Sequence, residues 1–257
     1  MHTTHHMIPV SGGDTVWAED SGGDAPPVVL LHPGVGDSRI WDPLVERLAP
    51  HHRIIRYDVR GYGRSPAPTA PYTLLGDLLA VLDHFALDRV PLVGCSMGGG
   101  AALGLALLAP ERVRSLVLVT PGVGGYPWPD EPEVDAEYER LMAARDIDGL
   151  TAFGLREWAR SGADERAVEQ LRSAATAWPG EEEHEEADPP VFDRLGEITV
   201  PAVVLLGELD RPPLVTCNEE LAARLPDCRL VRMPGVDHLA PLRVPDLIAG
   251  TVLAHCG

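Results

Sequence analysis

Val90-Pro91-Leu92-Val93-Gly94-Cys95-Ser96-Met97-Gly98-Gly99-Gly100-Ala101-Ala102-Leu103 is the stretch that decides the fold. An apolar run leads into Gly-x-Ser-x-Gly, and a helix-like run of small and aliphatic residues leads out. Strand, sharp turn and helix form the context of a nucleophile elbow. The serine at the apex takes a backbone conformation that lifts its hydroxyl clear of the sheet. The positions two before and two after it have almost no room for a side chain, hence Gly94 and Gly98. The first N–H groups of the following helix lack partners within it and can receive an anion. Ser96 is therefore a candidate nucleophile and the Met97 N–H a candidate oxyanion donor. A glycine-rich helix start that only permits close packing has the same local pattern, so the partners must decide.

A serine nucleophile of this kind needs an acid and then a histidine, each on a loop after a later strand. Val203-Val204-Leu205-Leu206 reads as a short apolar strand followed by Gly207-Glu208-Leu209-Asp210. Leu230-Val231-Arg232-Met233 reads as another, followed by Pro234-Gly235-Val236-Asp237-His238. Asp210 and His238 are the candidate acid and base. Asp237 is a rival by proximity, but neighbours on a loop rarely aim at one another. Glu208 is a second rival, placed nearer the strand and expected to face away.

With these three segments in hand, the chain resembles the α/β-hydrolase superfamily over most of its length, and the small bacterial esterases and lactonases of the 3-oxoadipate enol-lactonase type within it. Leu30-Leu31-His32-Pro33-Gly34-Val35-Gly36 resembles the family's oxyanion loop, with Pro33 where most relatives have glycine. Tyr57-Asp58-Val59-Arg60-Gly61-Tyr62-Gly63-Arg64-Ser65 resembles the turn after its fourth strand. The resemblance implies an α/β fold with a mostly parallel central sheet flanked by helices and a small helical cap insertion. It also implies an oxyanion hole made by the backbone N–H groups of Met97 and Gly34, with Val35 as the alternative to Gly34, and assigns His32 to holding the loop's shape.

Strand-like and helix-like runs alternate on both sides of one interruption. Val28–Leu31, Arg53–Tyr57, Pro91–Gly94, Val113–Val119, Ala202–Leu206 and Cys228–Met233 read as strands; most are almost wholly apolar, as in a parallel sheet buried on both faces. Thr73 can cap a helix reaching to about Phe85, with Leu74, Leu78, Val81 and Leu82 along one face. Residues 1–120 and 196–257 are thus expected to form the core domain. Residues 121–195 are expected to form the cap, with helices around Val134–Ala144 and Glu165–Thr176. Its Trp128, Trp158 and Trp178, together with Val35, are candidate substrate contacts. The acidic run Glu181-Glu182-Glu183-His184-Glu185-Glu186 reads as a solvated, mobile stretch.

Composition bounds the function. Among 257 residues, 39 are acidic and 21 basic, a net charge of −18, which opposes binding to nucleic acid or to an anionic membrane surface. All the basic residues are arginine, so Schiff-base and P-loop lysine chemistry is excluded. The N-terminal Met1-His2-Thr3-Thr4-His5-His6-Met7 has neither a charged nor an apolar signal region and reads as a disordered tail. The four cysteines match no zinc or redox spacing and are expected to be free thiols; Cys95 reads as a small buried hydrophobe. Composition fits a cytoplasmic enzyme, and the resemblance implies a small-molecule ester or lactone as substrate, with no metal and no cofactor. The same triad would also serve a carbon–carbon bond hydrolase or a biosynthetic thioesterase or cyclase. A ligand-binding protein on a hydrolase scaffold is the reading from outside enzymology.

Overall fold

Strand–helix alternation of this kind builds an open sheet with helices on both faces. The computed structural model describes residues 3–256 and has this architecture. Eight strands form one sheet: β1 (Thr4–Pro9), β2 (Thr15–Asp20), β3 (Pro27–Leu31), β4 (Arg53–Tyr57), β5 (Val90–Cys95), β6 (Val113–Val119), β7 (Ala202–Gly207) and β8 (Cys228–Met233). Their order across the sheet is β1-β2-β4-β3-β5-β6-β7-β8. The pairs β1·β2 and β2·β4 are antiparallel; all later pairs are parallel. Strands β5 and β7 are buried at every position, which is why they lack a polar alternate.

The helices of the core are α1 (Asp42–Leu48), α2 (Leu74–His84), α3 (Met97–Leu108), α7 (Pro212–Arg224), α8 (Ala240–Arg243) and α9 (Pro245–Cys256). The Thr73 hydroxyl caps α2 by accepting from the Gly76 N–H, and Leu78, Val81 and Leu82 bury its expected face. Three more helices stand between β6 and β7: α4 (Pro132–Ala144), α5 (Ile147–Trp158) and α6 (Glu165–His184). No helix among the described residues is long and apolar enough to cross a membrane.

The sequence reading is corrected at four places, the first being strand β2 (Thr15–Asp20), which was not expected. The expected N-terminal tail is β1 from Thr4 onward, paired with β2 along its whole length; Met1 and His2 lie outside the described residues. Only Ile8 of this edge strand is buried, so its histidine-rich exposed positions carry no strand signal. Helix α5 was not expected. The acidic run is ordered into α6, which continues through Pro179 to His184. Proline removes one backbone donor there, but the flanking side chains dock: Trp178 is buried, and Glu181 meets the Tyr62 hydroxyl. Beyond the helix the run is tied down again, since the Tyr72 N–H donates to His184 O and the Glu186 N–H to Tyr72 O.

Two groups of buried charge hold the turn after β4. The Arg60 side chain, fully buried, donates to Asp77 at 2.7 and 2.8 Å and to Asp14 at 3.0 Å. Close by, burial raises the Glu181 carboxyl to about 7 against the opposing pull of the Tyr62 hydrogen bond. Burial, then the charge of Glu181, raises Glu185 to about 8. Both folded values lie above the ordinary glutamate value of 4.5. Between that value and about 7 to 8 the folded chain holds protons that the unfolded chain releases. Their contribution to stability is therefore fully present below the ordinary value and is lost as pH rises through the folded values.

Arg60→Met leaves Asp77 buried without its partner and should cost about 3–5 kcal/mol in urea unfolding; a loss below about 1 kcal/mol contradicts this account of the pair. The urea midpoint of the wild type should fall between about pH 5 and pH 8, and fall less steeply in Glu181→Gln. Equal slopes in the two proteins would show that Glu181 does not titrate there.

Candidate active site

Ser96 stands between β5 and α3 with φ 48° and ψ −115°, a conformation that side-chain-bearing residues rarely adopt. Close packing on both sides holds it there. A Cβ on Gly94 would lie 2.4 Å from Gly98 O, and one on Gly98 would lie 2.4 Å from Leu31 O. The Ser96 carbonyl accepts from the N–H groups of Gly100 and Gly122, and its own N–H donates to Val119 O. The side chain is left partly exposed at the floor of a cleft.

The loops after β7 and β8 bring the expected acid and base together. The His238 Nδ1–H donates to Asp210 Oδ2 at 2.7 Å, and the two residues are 1% and 3% exposed. Asp210 Oδ1 accepts from the Arg211 N–H at 2.8 Å, which fixes the carboxylate plane. His238 Nε2 is buried and has no hydrogen-bond partner among the described residues. The loops approach closely because Gly207 ends β7: a Cβ there would lie 2.7 Å from Val236 O. Cys95 is buried beneath the site, where burial pushes its thiol far above the ordinary range, so it is a packing group. All four cysteines are free.

The two rival acids do other things. Asp237 accepts from the Leu239 N–H, the Ser161 N–H and the Arg243 guanidinium, tying the histidine loop to the segment after α5. Glu208 points outward toward Arg232, 3.9 Å away. Asp58 organises its turn by accepting from the N–H groups of Ser38 and Arg64.

The loop after β3 lies on the other side of Ser96. His32 accepts the Val59 N–H on Nε2 at 3.0 Å and so donates from Nδ1 to Pro33 O at 2.9 Å. Gly34 abuts the elbow, since a Cβ on it would lie 3.6 Å from Met97 Sδ. Among the described residues, the N–H groups of Gly34, Val35 and Met97 have no internal acceptor.

Ser96 opens into a cavity of about 270 Å³ whose walls include Trp128, Glu131, Trp158, Arg211 and Leu214. Trp158 packs against His238 with ring centroids 4.6 Å apart and the planes tilted by 42°, and the Arg211 guanidinium lies 5.0 Å over Trp158. Arg211 also pairs with Glu131 and Glu157 of the insertion, so its charge is matched within the wall. Arg211, Glu131 and Glu157 were not singled out from sequence; only the adjacency of Arg211 to Asp210 hinted at them. Of the other expected contacts, Val35 is buried, and Trp178 turns its indole N–H to Gly34 O at 2.7 Å.

Residues 26–243 match the family model described as alpha/beta hydrolase fold. The chain is 30% identical to a Bacillus subtilis protein whose name provisionally makes it a 2-succinyl-6-hydroxy-2,4-cyclohexadiene-1-carboxylate synthase, over 95% of this chain and 96% of that one. It is 29% identical to rhodomycin D methylesterase of Streptomyces peucetius, over 94% of each. Among solved structures, the enol-lactonase from Burkholderia xenovorans superposes with a TM-score of 0.80 at 25% identity, over 98% of each chain. The chain belongs to the alpha/beta hydrolase fold family.

Proposed function

We propose that this hydrolase cleaves a small carboxylic ester or lactone through an acyl-enzyme on Ser96. The observation that carries the reading is the buried 2.7 Å bond from His238 Nδ1 to Asp210, with Nε2 left unpartnered among the described residues. The methylesterase and enol-lactonase likenesses support an ester or lactone as the bond broken.

His238 Nε2 takes the Ser96 proton as Oγ attacks the carbonyl carbon. Asp210 fixes the imidazole tautomer and stabilises its protonated form without itself taking the proton. The N–H groups of Met97 and Gly34 receive the oxyanion; each such donor contributes roughly a hundred- to a thousandfold in rate. His238 returns its proton to the leaving oxygen, then activates the water that releases the acyl group. The insertion, residues 121–195, acts as a cap: Trp128 and Trp158 enclose the substrate and reduce its access to water. With Arg211 already matched by Glu131 and Glu157, the wall favours a neutral, largely apolar substrate.

Ser96→Ala should lower hydrolysis of p-nitrophenyl butyrate by about a thousandfold or more while the protein stays folded. Near-full turnover in that variant sinks the assignment. Asp210→Asn should fall about as far, because the wrong tautomer is then held. Asp237→Asn should act mainly on the melting temperature, since it ties loops together rather than facing the imidazole; the reverse ranking would move the acid to Asp237.

A further inference from the structure

A peptide unit is planar, so fixing its carbonyl fixes its N–H on the opposite side. Two consecutive units at the oxyanion loop are pinned, and by different parts of the molecule. The Pro33–Gly34 unit is held from the core: Pro33 O accepts from His32 Nδ1 at 2.9 Å and from the Gly36 N–H at 3.3 Å. The Gly34–Val35 unit is held from helix α6: Gly34 O accepts from Trp178 Nε1 at 2.7 Å. The Tyr62 hydroxyl lies 3.3 Å from the same oxygen and is itself in contact with Glu181 of α6. The same helix holds the next part of the loop. Gln170 Oε1 accepts the Asp37 N–H at 2.9 Å, and the Ser173 hydroxyl donates to Asp37 Oδ2 at 2.6 Å. Helix and loop are at contact, since a Cβ on Gly36 would lie 2.2 Å from Gln170 Oε1.

We infer that Trp178, assisted by Tyr62, is a positioning residue of the oxyanion site: it holds the Gly34–Val35 unit on the far side of Gly34 and so steadies the adjoining Pro33–Gly34 unit, whose N–H receives the developing charge. The inference rests on Ser96 being the nucleophile. Gly34 has no side chain to restrict its own rotation, so the two pinned units on either side of it are what define its geometry. An oxyanion donor acts only when it lies about 2.7–3.1 Å from the oxygen as charge develops. A misplacement of about 1 Å can cost about a hundredfold in rate. A neutral ground-state carbonyl feels that displacement far less, so the effect falls on kcat and not on KM. Tyr62 has one proton for two acceptors, Gly34 O and Glu181; the raised Glu181, protonated in part near neutrality, can donate to Tyr62 and free that proton for Gly34.

The test uses Trp178→Phe in the full chain. It removes the N–H and keeps an aromatic ring against Tyr138, whose ring lies 5.9 Å from Trp178. With p-nitrophenyl butyrate, kcat should fall about 10- to 100-fold and KM change less than about threefold. Affinity for an alkyl boronic acid, which forms a tetrahedral adduct on serine, should fall by the same factor as kcat, while affinity for butyrate stays unchanged. Tyr62→Phe should show a smaller loss of the same kind. Unchanged kcat and unchanged boronic acid affinity in Trp178→Phe overturn the inference, and so does a rise in KM alone, which would make Trp178 a pocket wall. If Trp178→Phe does not fold, Tyr62→Phe decides, and full kcat there overturns it. Failure of the nucleophile reading shows separately, as wild-type turnover that survives Ser96→Ala or as a wild type inert to both ester and boronic acid.

Discussion

The close approach of α3 to the sheet is the constraint on which the remainder depends. Gly94, Gly98 and Gly99 have no space for a Cβ, the last because it would lie 2.6 Å from Pro121 Cβ. With the helix pressed this near, the chain must turn through Ser96 in a strained conformation, φ 48°. Three consequences follow together. The Ser96 residue is left partly exposed, the Met97 N–H opens a helix without an internal acceptor, and the Gly122 N–H reaches the Ser96 carbonyl. The same closeness sets the neighbouring loop, because the Gly98 N–H donates to His32 O at 3.2 Å.

A second set of contacts joins the segment between β6 and β7 to the rest of the chain. Arg211 clasps Glu131 and Glu157, Asp237 holds the Ser161 N–H, and α6 lies along the loop containing Gly34 and Asp37. These bonds run between parts of the chain far apart in sequence, and those of Arg211 and Asp237 are charge-assisted, the stronger kind. Asp37 is held from both near and far in the chain: against the cost of burial, its carboxylate is kept far below its usual range by the neighbouring Arg39 and by Ser173 of α6. The cavity beside Ser96 and the loop containing Gly34 therefore share one scaffold.

What was legible in the sequence was what local backbone dictates. The elbow, the strand ends and the Thr73 cap each rest on a few consecutive residues, and the structure brings Asp210 to His238 as their order in the chain suggested. Edge strand β1 was not legible, because only Ile8 of its six residues is buried and the sequence Thr-His-His-Met-Ile-Pro carries no apolar alternation. Helix α5 was hidden by Gly149, Thr151 and Gly154 within it, and Pro179 read as the end of a helix that in fact continues to His184. Trp178 reads in the sequence as a candidate substrate contact, and its bond to Gly34 O was not legible. Its partner Gly34 lies 144 positions away, and such a contact leaves no period or spacing in either segment.

The most direct test of the central claim is the intact mass of the folded protein after treatment with a fluorophosphonate, wild type beside Ser96→Ala, with the adduct mapped by proteolysis. An activated serine beside a free imidazole nitrogen predicts a single adduct, located on Ser96 and missing from the variant. A folded wild type that takes up no label, or a label that persists in Ser96→Ala, would contradict the account.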